Sequence, residues 1–296
     1  MEHDIIIVGG SFAGLSAALQ IARARRRVLV IDAEQPRNRF SEKSHGFFGL
    51  DDRPPYAILG QAKAQLLAYP TASLVEDRAK QVMRDGDLFQ VAMDSEDVYR
   101  SSRVVLATGI VDELPAVPGM SELWGEKVLH CPYCHGYEVC GDRLGVFAKG
   151  EPSLNQALLI RDWGNVTLFA QGLDLAAEGL RKLEARGVKV EVTPIVAVED
   201  DHENGMRARL LGGRHVQLDA LFVAPEVHLA GELTTQLGCS LVQGPHGMVV
   251  ATDEHKETSV KGVYAAGDMA RMHHNAMLAC ADGVIAGISA HQSLVL

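Results

Sequence analysis

Cys131-Pro132-Tyr133-Cys134 is the segment whose residue types most clearly carry chemistry. Two cysteines three positions apart can close a small disulfide ring, and this spacing often lowers the pKa of one thiol. The thiolate is the nucleophile in thiol–disulfide exchange, so a neighbouring acid or base matters. His135 adjoins the second cysteine, and a histidine can titrate near neutral pH. Zinc is the competing use of such a pair, but it needs a second pair or two histidines at finger spacing. His130, His135 and Cys140 flank this pair irregularly, so no metal is assigned. The proline between the cysteines and the histidine beside them argue against two inert thiols. With five cysteines in 296 residues, a structural disulfide framework is not expected. Cys280, set among alanines on a helical pattern, reads as a core residue.

A second chemical signal opens the chain. Asp4 to Val8 is a short, β-branched apolar run, and Gly9-Gly10-Ser11-Phe12-Ala13-Gly14 follows at once. Leu15, Ala18, Leu19 and Ala22 then keep helical spacing, and Arg25, Arg26 and Arg27 lie where a helix C-terminus favours cations. Residues 27–31 form the next strand pattern, closed by Asp32. This is the strand–glycine loop–helix–strand layout of a dinucleotide site. The glycines let the backbone approach a pyrophosphate, the helix start offers its free N–H groups, and Asp32 is spaced to accept ribose hydroxyls. Ser11 replaces the middle glycine; serine is small and a good helix N-cap.

The rest of the chain must position these two features. Its length suits two domains. The net charge of −10 argues against general binding to nucleic acid or an anionic membrane. No apolar run is long enough to span a bilayer, and the start lacks a basic leader, so a cytoplasmic protein is expected. Residues 34–60 read as a loop-rich insertion, residues 58–67 as a helix, and residues 104–109 as a strand ending in Gly109. A second strand–helix–strand unit runs from Gly145-Val-Phe-Ala148 through a helix begun by Pro152 and ended near Gly164, to a strand over 166–170. Further strand patterns fall at 188–190 and 221–224, another ends in Gly267-Asp268, and a helix of small residues covers 275–290.

Taken in order, Gly9 to Gly14, Ala107-Thr108-Gly109, Cys131/Cys134 and Ala266-Gly267-Asp268 resemble the motifs of the low-molecular-weight thioredoxin reductase family over essentially the whole chain. The resemblance implies an α/β fold of two Rossmann-like three-layer domains. The FAD-binding domain would be discontinuous (1–114 and 244–296), and a central NAD(P)-binding-like domain (115–243) would carry the cysteines. It implies that Asp268 meets the ribityl–phosphate region of FAD and that Asn275 and Ala276 lie near the flavin ring. Cys134 would face the flavin, Cys131 would exchange with substrate, and the protein would be a homodimer. Its partner would be a thiol or disulfide, either a small dithiol or a thioredoxin-like protein.

Two departures change that expectation. His135 stands where the family usually has an aspartate, and we expect it to act as the base. The second glycine motif is reduced to Ala148-Lys-Gly-Glu-Pro-Ser153, and the next strand ends Phe169-Ala-Gln-Gly172 without a cation, which argues against NAD(P)H as a cofactor. A dithiol oxidase or another non-nicotinamide oxidoreductase is therefore the leading expectation. An NAD(P)H-dependent thioredoxin reductase and a flavin-containing redox sensor are the alternatives.

Overall fold

The computed structural model describes residues 2–296. Ile5, Ile6, Ile7 and Val8 are all buried. Alternate side chains point to opposite faces of a strand, so this run needs cover on both sides. It lies in β1 (Glu2–Val8), inside a sheet of order β3 (Ala72–Glu76), β2 (Val28–Asp32), β1, β6 (Val98–Leu106), β5 (Leu88–Met93) and β4 (Ala79–Asp85), with β19 (Val263–Ala265) also on β6. β1, β2, β3, β6 and β19 run parallel, whereas β4, β5 and β6 form an antiparallel meander.

Ile5 and Ile7 pack on α1 (Phe12–Arg23), α2 (Pro55–Leu67) and α7 (Ala276–Gln292). Ile6 and Val8 pack on the opposite side with Phe89, Val91 and Leu106. The small-residue helix expected near the C-terminus is α7, and its composition has a geometric cause. A Cβ on Gly283 would lie 2.0 Å from the Ala13 carbonyl oxygen, and one on Gly287 would lie 2.5 Å from that of Ala17. The two ends of the chain are thereby locked into one layer. Asp282 on α7 is buried and pairs with Arg271 (2.6 Å) and Lys256 (2.8 Å), which anchors the loop leading into the helix.

A second sheet runs β11 (Lys189–Glu191), β10 (Gly164–Phe169), β9 (Gly141–Phe147), β15 (Ala220–Val223) and β8 (Val128–Leu129), all parallel. Helices α4 (Pro152–Ile160) and α5 (Ala177–Ala185) pack beside it, and the meander β12 (Ile195–Asp201), β13 (Gly205–Leu210) and β14 (His215–Leu218) contributes to a core shared with Phe147 and Phe169. The short helix α3 (Pro132–His135) follows β8. The architecture is thus two α/β Rossmann-like units, as expected.

Between the units, β7 (Ile110–Glu113) pairs antiparallel with β16 (Glu226–Leu229). After that ribbon come α6 (Leu233–Leu237) and the hairpin β17 (Leu241–Gln243)–β18 (Met248–Val250). A division at 243/244 would cut this hairpin. Leu233 and Cys239 also pack into the core of the first sheet. We therefore place the return to the first unit at the β7–β16 ribbon. Two local expectations change as well. Gly164 opens β10 instead of closing the preceding helix, and α2 begins at Pro55, a residue suited to the first helical turn.

Candidate functional site

The glycine loop joins β1 to α1 under tight steric limits. Gly9 has a φ of 111°, and a Cβ there would sit 2.2 Å from the Ala107 carbonyl oxygen. A Cβ on Gly14 would sit 1.7 Å from the Gly9 carbonyl oxygen, and one on Gly10 would sit 2.4 Å from the Asp32 carboxyl carbon. Ser11 is the N-cap residue of α1, but its side chain makes no capping bond, contrary to the role its type suggested. The first internal bond of the helix is Leu15 N–H to Ser11 O. The N–H groups of Phe12, Ala13 and Gly14 meet no acceptor among the described residues. A helix start with open donors is a ready anion site.

A cavity of about 940 Å³ runs from this loop to the cysteines. Gly9, Ser11, Phe12, Ala13 and Asp32 line one end. Ala107, Thr108 and Gly109 follow from the end of β6, and Gly267, Asp268, Asn275 and Ala276 from the approach to α7. Cys131, Cys134 and His135 line the cavity as well. Gly14 lies beneath the loop and is the one expected site residue that does not line the cavity. Asn275 caps α7, its side-chain oxygen accepting from Met277 N–H at 2.8 Å. The open donors, the close-approach glycines and the cavity size fit a dinucleotide such as FAD.

Residues that carry no sequence motif hold acidic side chains lining this cavity. Asp32 is buried, accepts from Glu34 N–H at 3.0 Å, and pairs with Lys63 at 2.8 Å. Burial opposes the charge on Lys63, yet the bonds to Asp32 and Glu34 raise its pKa. Arg37, in the insertion after β2, donates to both oxygens of Asp112 (2.8 and 2.6 Å) and to Asp268 (2.9 Å). It thus joins the ribbon strand β7 to the loop before α7. Asp268, expected near the ribityl chain, already shares one oxygen with this guanidinium.

The thiols sit where α3 begins, with Cys131 at its N-cap. Cys134 Sγ lies 2.9 Å from Cys131 Sγ and donates to it. That bond lowers the Cys131 pKa to about 7 against burial, which raises it; the N–H groups of Cys134 and Tyr133 and the Arg37 charge lower it further. The same bond, burial and the charge on Cys131 push Cys134 far up. The two thiols are therefore unequal: one is poised as a thiolate and the other holds its proton. Burial lowers the His135 pKa, a nearby Glu138 opposes this, and His45 adds to it. The His135 side chain makes no hydrogen bond or ion pair among the described residues, so neutral imidazole is available to a base role. Of the other cysteines, Cys140 is exposed and Cys239 is buried. Cys280, expected in the core, is only partly buried.

The second unit differs at each corresponding point. Pro152, Ser153 and Leu154 open α4. Pro152 has no N–H; Ser153 N–H donates to Gly150 O and Leu154 N–H to Glu151 O, both at 3.0 Å. Lys149 N–H donates to Ser153 Oγ at 3.0 Å, and Lys149 Nζ is held 3.2 Å from Glu226. Past β10, the Gln171 side chain accepts from Ile195 N–H at 3.2 Å.

No described helix is long and apolar enough to cross a membrane. The sequence profile of the pyridine nucleotide-disulphide oxidoreductase family matches residues 3–143 and 165–283. The thioredoxin reductase tcpT of Claviceps purpurea is 32% identical over 99% of this chain and 94% of its own. Among solved structures, an oxidoreductase from Agrobacterium tumefaciens is 40% identical with a TM-score of 0.95, covering 100% of this chain and 99% of the other. HlmI is 35% identical with a TM-score of 0.92, covering 99% and 93%. A cysteine pair lining a dinucleotide cavity and a family profile that spans both chain ends lead to one assignment: this chain belongs to the pyridine nucleotide-disulphide oxidoreductases and is an FAD-dependent disulfide oxidoreductase.

Proposed function

We propose that the chain oxidises a dithiol substrate through Cys131 and Cys134 and does not draw electrons from a nicotinamide. The observation that carries this reading is the start of α4. None of its first three residues offers a free N–H, and the nearest cation, Lys149, is paired with Glu226. A pyrophosphate there would have to break these bonds before making its own.

Bound FAD supplies a two-electron acceptor for the thiol pair. The protein's own residues handle thiols and protons. When the pair is a disulfide, a substrate thiolate attacks Cys131 Sγ, the Cys131–Cys134 bond breaks, and Cys134 leaves with the electron pair. The second substrate thiolate then attacks the substrate sulfur of the mixed disulfide and releases Cys131, so the substrate ends as a disulfide. Cys131, with a pKa near 7, is a good leaving thiolate in that second step. Cys134 binds its proton tightly and needs a base before it can be reoxidised; His135, adjacent in sequence and lining the same cavity, is assigned that task.

The similarity to the Claviceps purpurea thioredoxin reductase favours a second reading, an NAD(P)H-dependent thioredoxin reductase. Anaerobic titration of the yellow protein, followed by flavin absorbance, separates the two. We expect dithiothreitol to bleach the flavin, NADPH and NADH to leave it oxidised, and air to restore the colour. Rapid bleaching by either nicotinamide overturns the oxidase reading in favour of the reductase.

A further inference from the structure

We infer that His246 is a proton outlet of the thiol site, passing protons from His130 and His274 to solvent during dithiol oxidation. The inference rests on the oxidase reading above. Oxidising a dithiol releases two protons for two electrons. His135 accounts for the one carried by Cys134. The proton of the attacking substrate thiol, on the Cys131 side, needs a separate route.

Three imidazoles supply one. His130 immediately precedes Cys131 and lines the same cavity. Its ring meets His246 edge-on, with centroids 6.2 Å apart and planes at 88°. On its other side His246 meets His274 at 6.3 Å. His274 also lines the cavity, and its Nε2 is buried without a hydrogen-bond partner among the described residues. A buried ring nitrogen of that kind ordinarily has a hydrogen-bond partner. Of the three rings only His246 is exposed. It stands at the tip of the β17–β18 hairpin, fixed by Gly244 N–H to Gly247 O (2.8 Å) and by Val227 N–H to its own carbonyl (3.0 Å). The contact also joins the two units, since His130 follows β8 of the second sheet and His246 belongs to a hairpin packed on the first.

The groups facing the trio are Arg37 from the insertion, Asp112 from β7, and Asp268 and His273 from the loop before α7. Neither carboxylate hydrogen-bonds to any of the three rings among the described residues; both are held by Arg37. Burial first, and then the Arg37 charge, lower all three histidines, and Asp268 partly opposes this at His274. The rings are thus uncharged acceptors at neutral pH. In the step assigned to them, the substrate S–H bond loses its proton to His130 and the sulfur keeps the electron pair. The resulting thiolate forms the bond to Cys131 Sγ as the bond to Cys134 breaks, and the proton moves from His130 to His246 and out. His246 touches neither substrate nor cofactor and acts through His130.

The test is His246→Ala in the holoprotein, in weakly buffered solution near pH 7, with dithiothreitol as the dithiol. Rapid quenching with an alkylating reagent and mass spectrometry counts the freed Cys131 and Cys134 thiols directly. We expect opening of the pair to slow about tenfold, and added imidazole to restore it in a saturable manner while leaving the parent rate unchanged. An unchanged rate in His246→Ala overturns the inference, as does a slowed rate that imidazole does not restore, because a structural role is not rescued by a soluble base. If dithiothreitol fails to open the pair in the parent protein, the oxidase reading falls, and the outlet falls with it.

Discussion

The molecule contains the strand–loop–helix–strand unit twice, and the copies treat the same backbone donors in opposite ways. At the start of α1, beside a large cavity, the N–H groups of Phe12, Ala13 and Gly14 have no acceptor among the described residues; at the start of α4, one donor is removed by Pro152 and two are spent inside the turn. The acidic side chain closing β2 is buried and tied to Lys63, whereas β10 runs into Gln171, which binds the neighbouring Ile195 amide. Both units keep their sheets and cores, so the difference is not one of folding. A Rossmann-like unit can retain its architecture while its ligand-facing loop closes on itself, because the core and the loop are stabilised by separate contacts. Architecture alone therefore does not establish what each unit binds.

Four measurements would break or sharpen that contrast. Gly14→Ala should have the largest effect. Its new methyl group would sit 1.7 Å from a backbone carbonyl, which cannot swing away as a side chain can. Purified protein should be colourless and lose several kcal/mol of stability; a yellow Gly14→Ala protein with a normal melting curve would mean the loop is not the cradle described.

Arg37→Gln comes next. It leaves the Asp112 carboxylate, only 8% exposed, without its partner, and frees Asp268. Breaking a partly buried ion pair of this kind costs about 3 kcal/mol, against no more than about 0.5 kcal/mol for Lys149→Gln at the exposed pair of the second unit. Denaturant midpoints with unchanged slopes would measure both; equal losses would erase the distinction.

A third measurement follows the Cys131 thiolate with pH. Its folded pKa lies below that of an unfolded cysteine, so the thiolate and its contribution to stability are fully present above the unfolded value and are lost as pH falls through about 7. Alkylation of reduced protein should show Cys131 reacting with a midpoint near 7 and Cys134 lagging. In Cys134→Ala the midpoint should move upward, because the largest lowering influence, the Cys134 thiol, is gone. An unmoved midpoint would assign the depression to Arg37 and the backbone instead.

The smallest effect is expected from reopening the second loop. Ser153→Gly releases the Lys149 amide, and Glu226→Gln releases its ammonium. At about 1 kcal/mol for each freed group, the double variant should bind NADH some thirtyfold more tightly by calorimetry, still weakly in absolute terms. No gain would mean that the missing glycines, more than these bonds, disable the site.

Much of this was legible in the chain itself because the signals are local. A glycine loop between a buried strand and a helix must appear within a few residues, and so must a reactive cysteine pair. The residues around them were not legible in that way. Arg37 looks like one basic residue in a proline-containing insertion, and Lys63 like a solvated position on a helix. His130 stood out only as an irregular zinc candidate, and His246 as nothing at all. Their roles come from partners far away in sequence: Arg37 binds Asp112 and Asp268, and His246 lies between His130 and His274.

The sequence by itself determined the two α/β units, the thiol pair and the absence of a second complete glycine motif, and its family motifs implied the return of the C-terminal segment to the N-terminal unit. Each is written in spacing and residue type over short stretches. Tertiary structure decided which thiol is the thiolate, what neutralises Asp268, that Ser11 leaves its helix start uncapped, and that three histidines from separate segments meet beside the cysteines. Those outcomes depend on distance and burial, and a linear pattern does not encode either for residues brought together only when both units have folded.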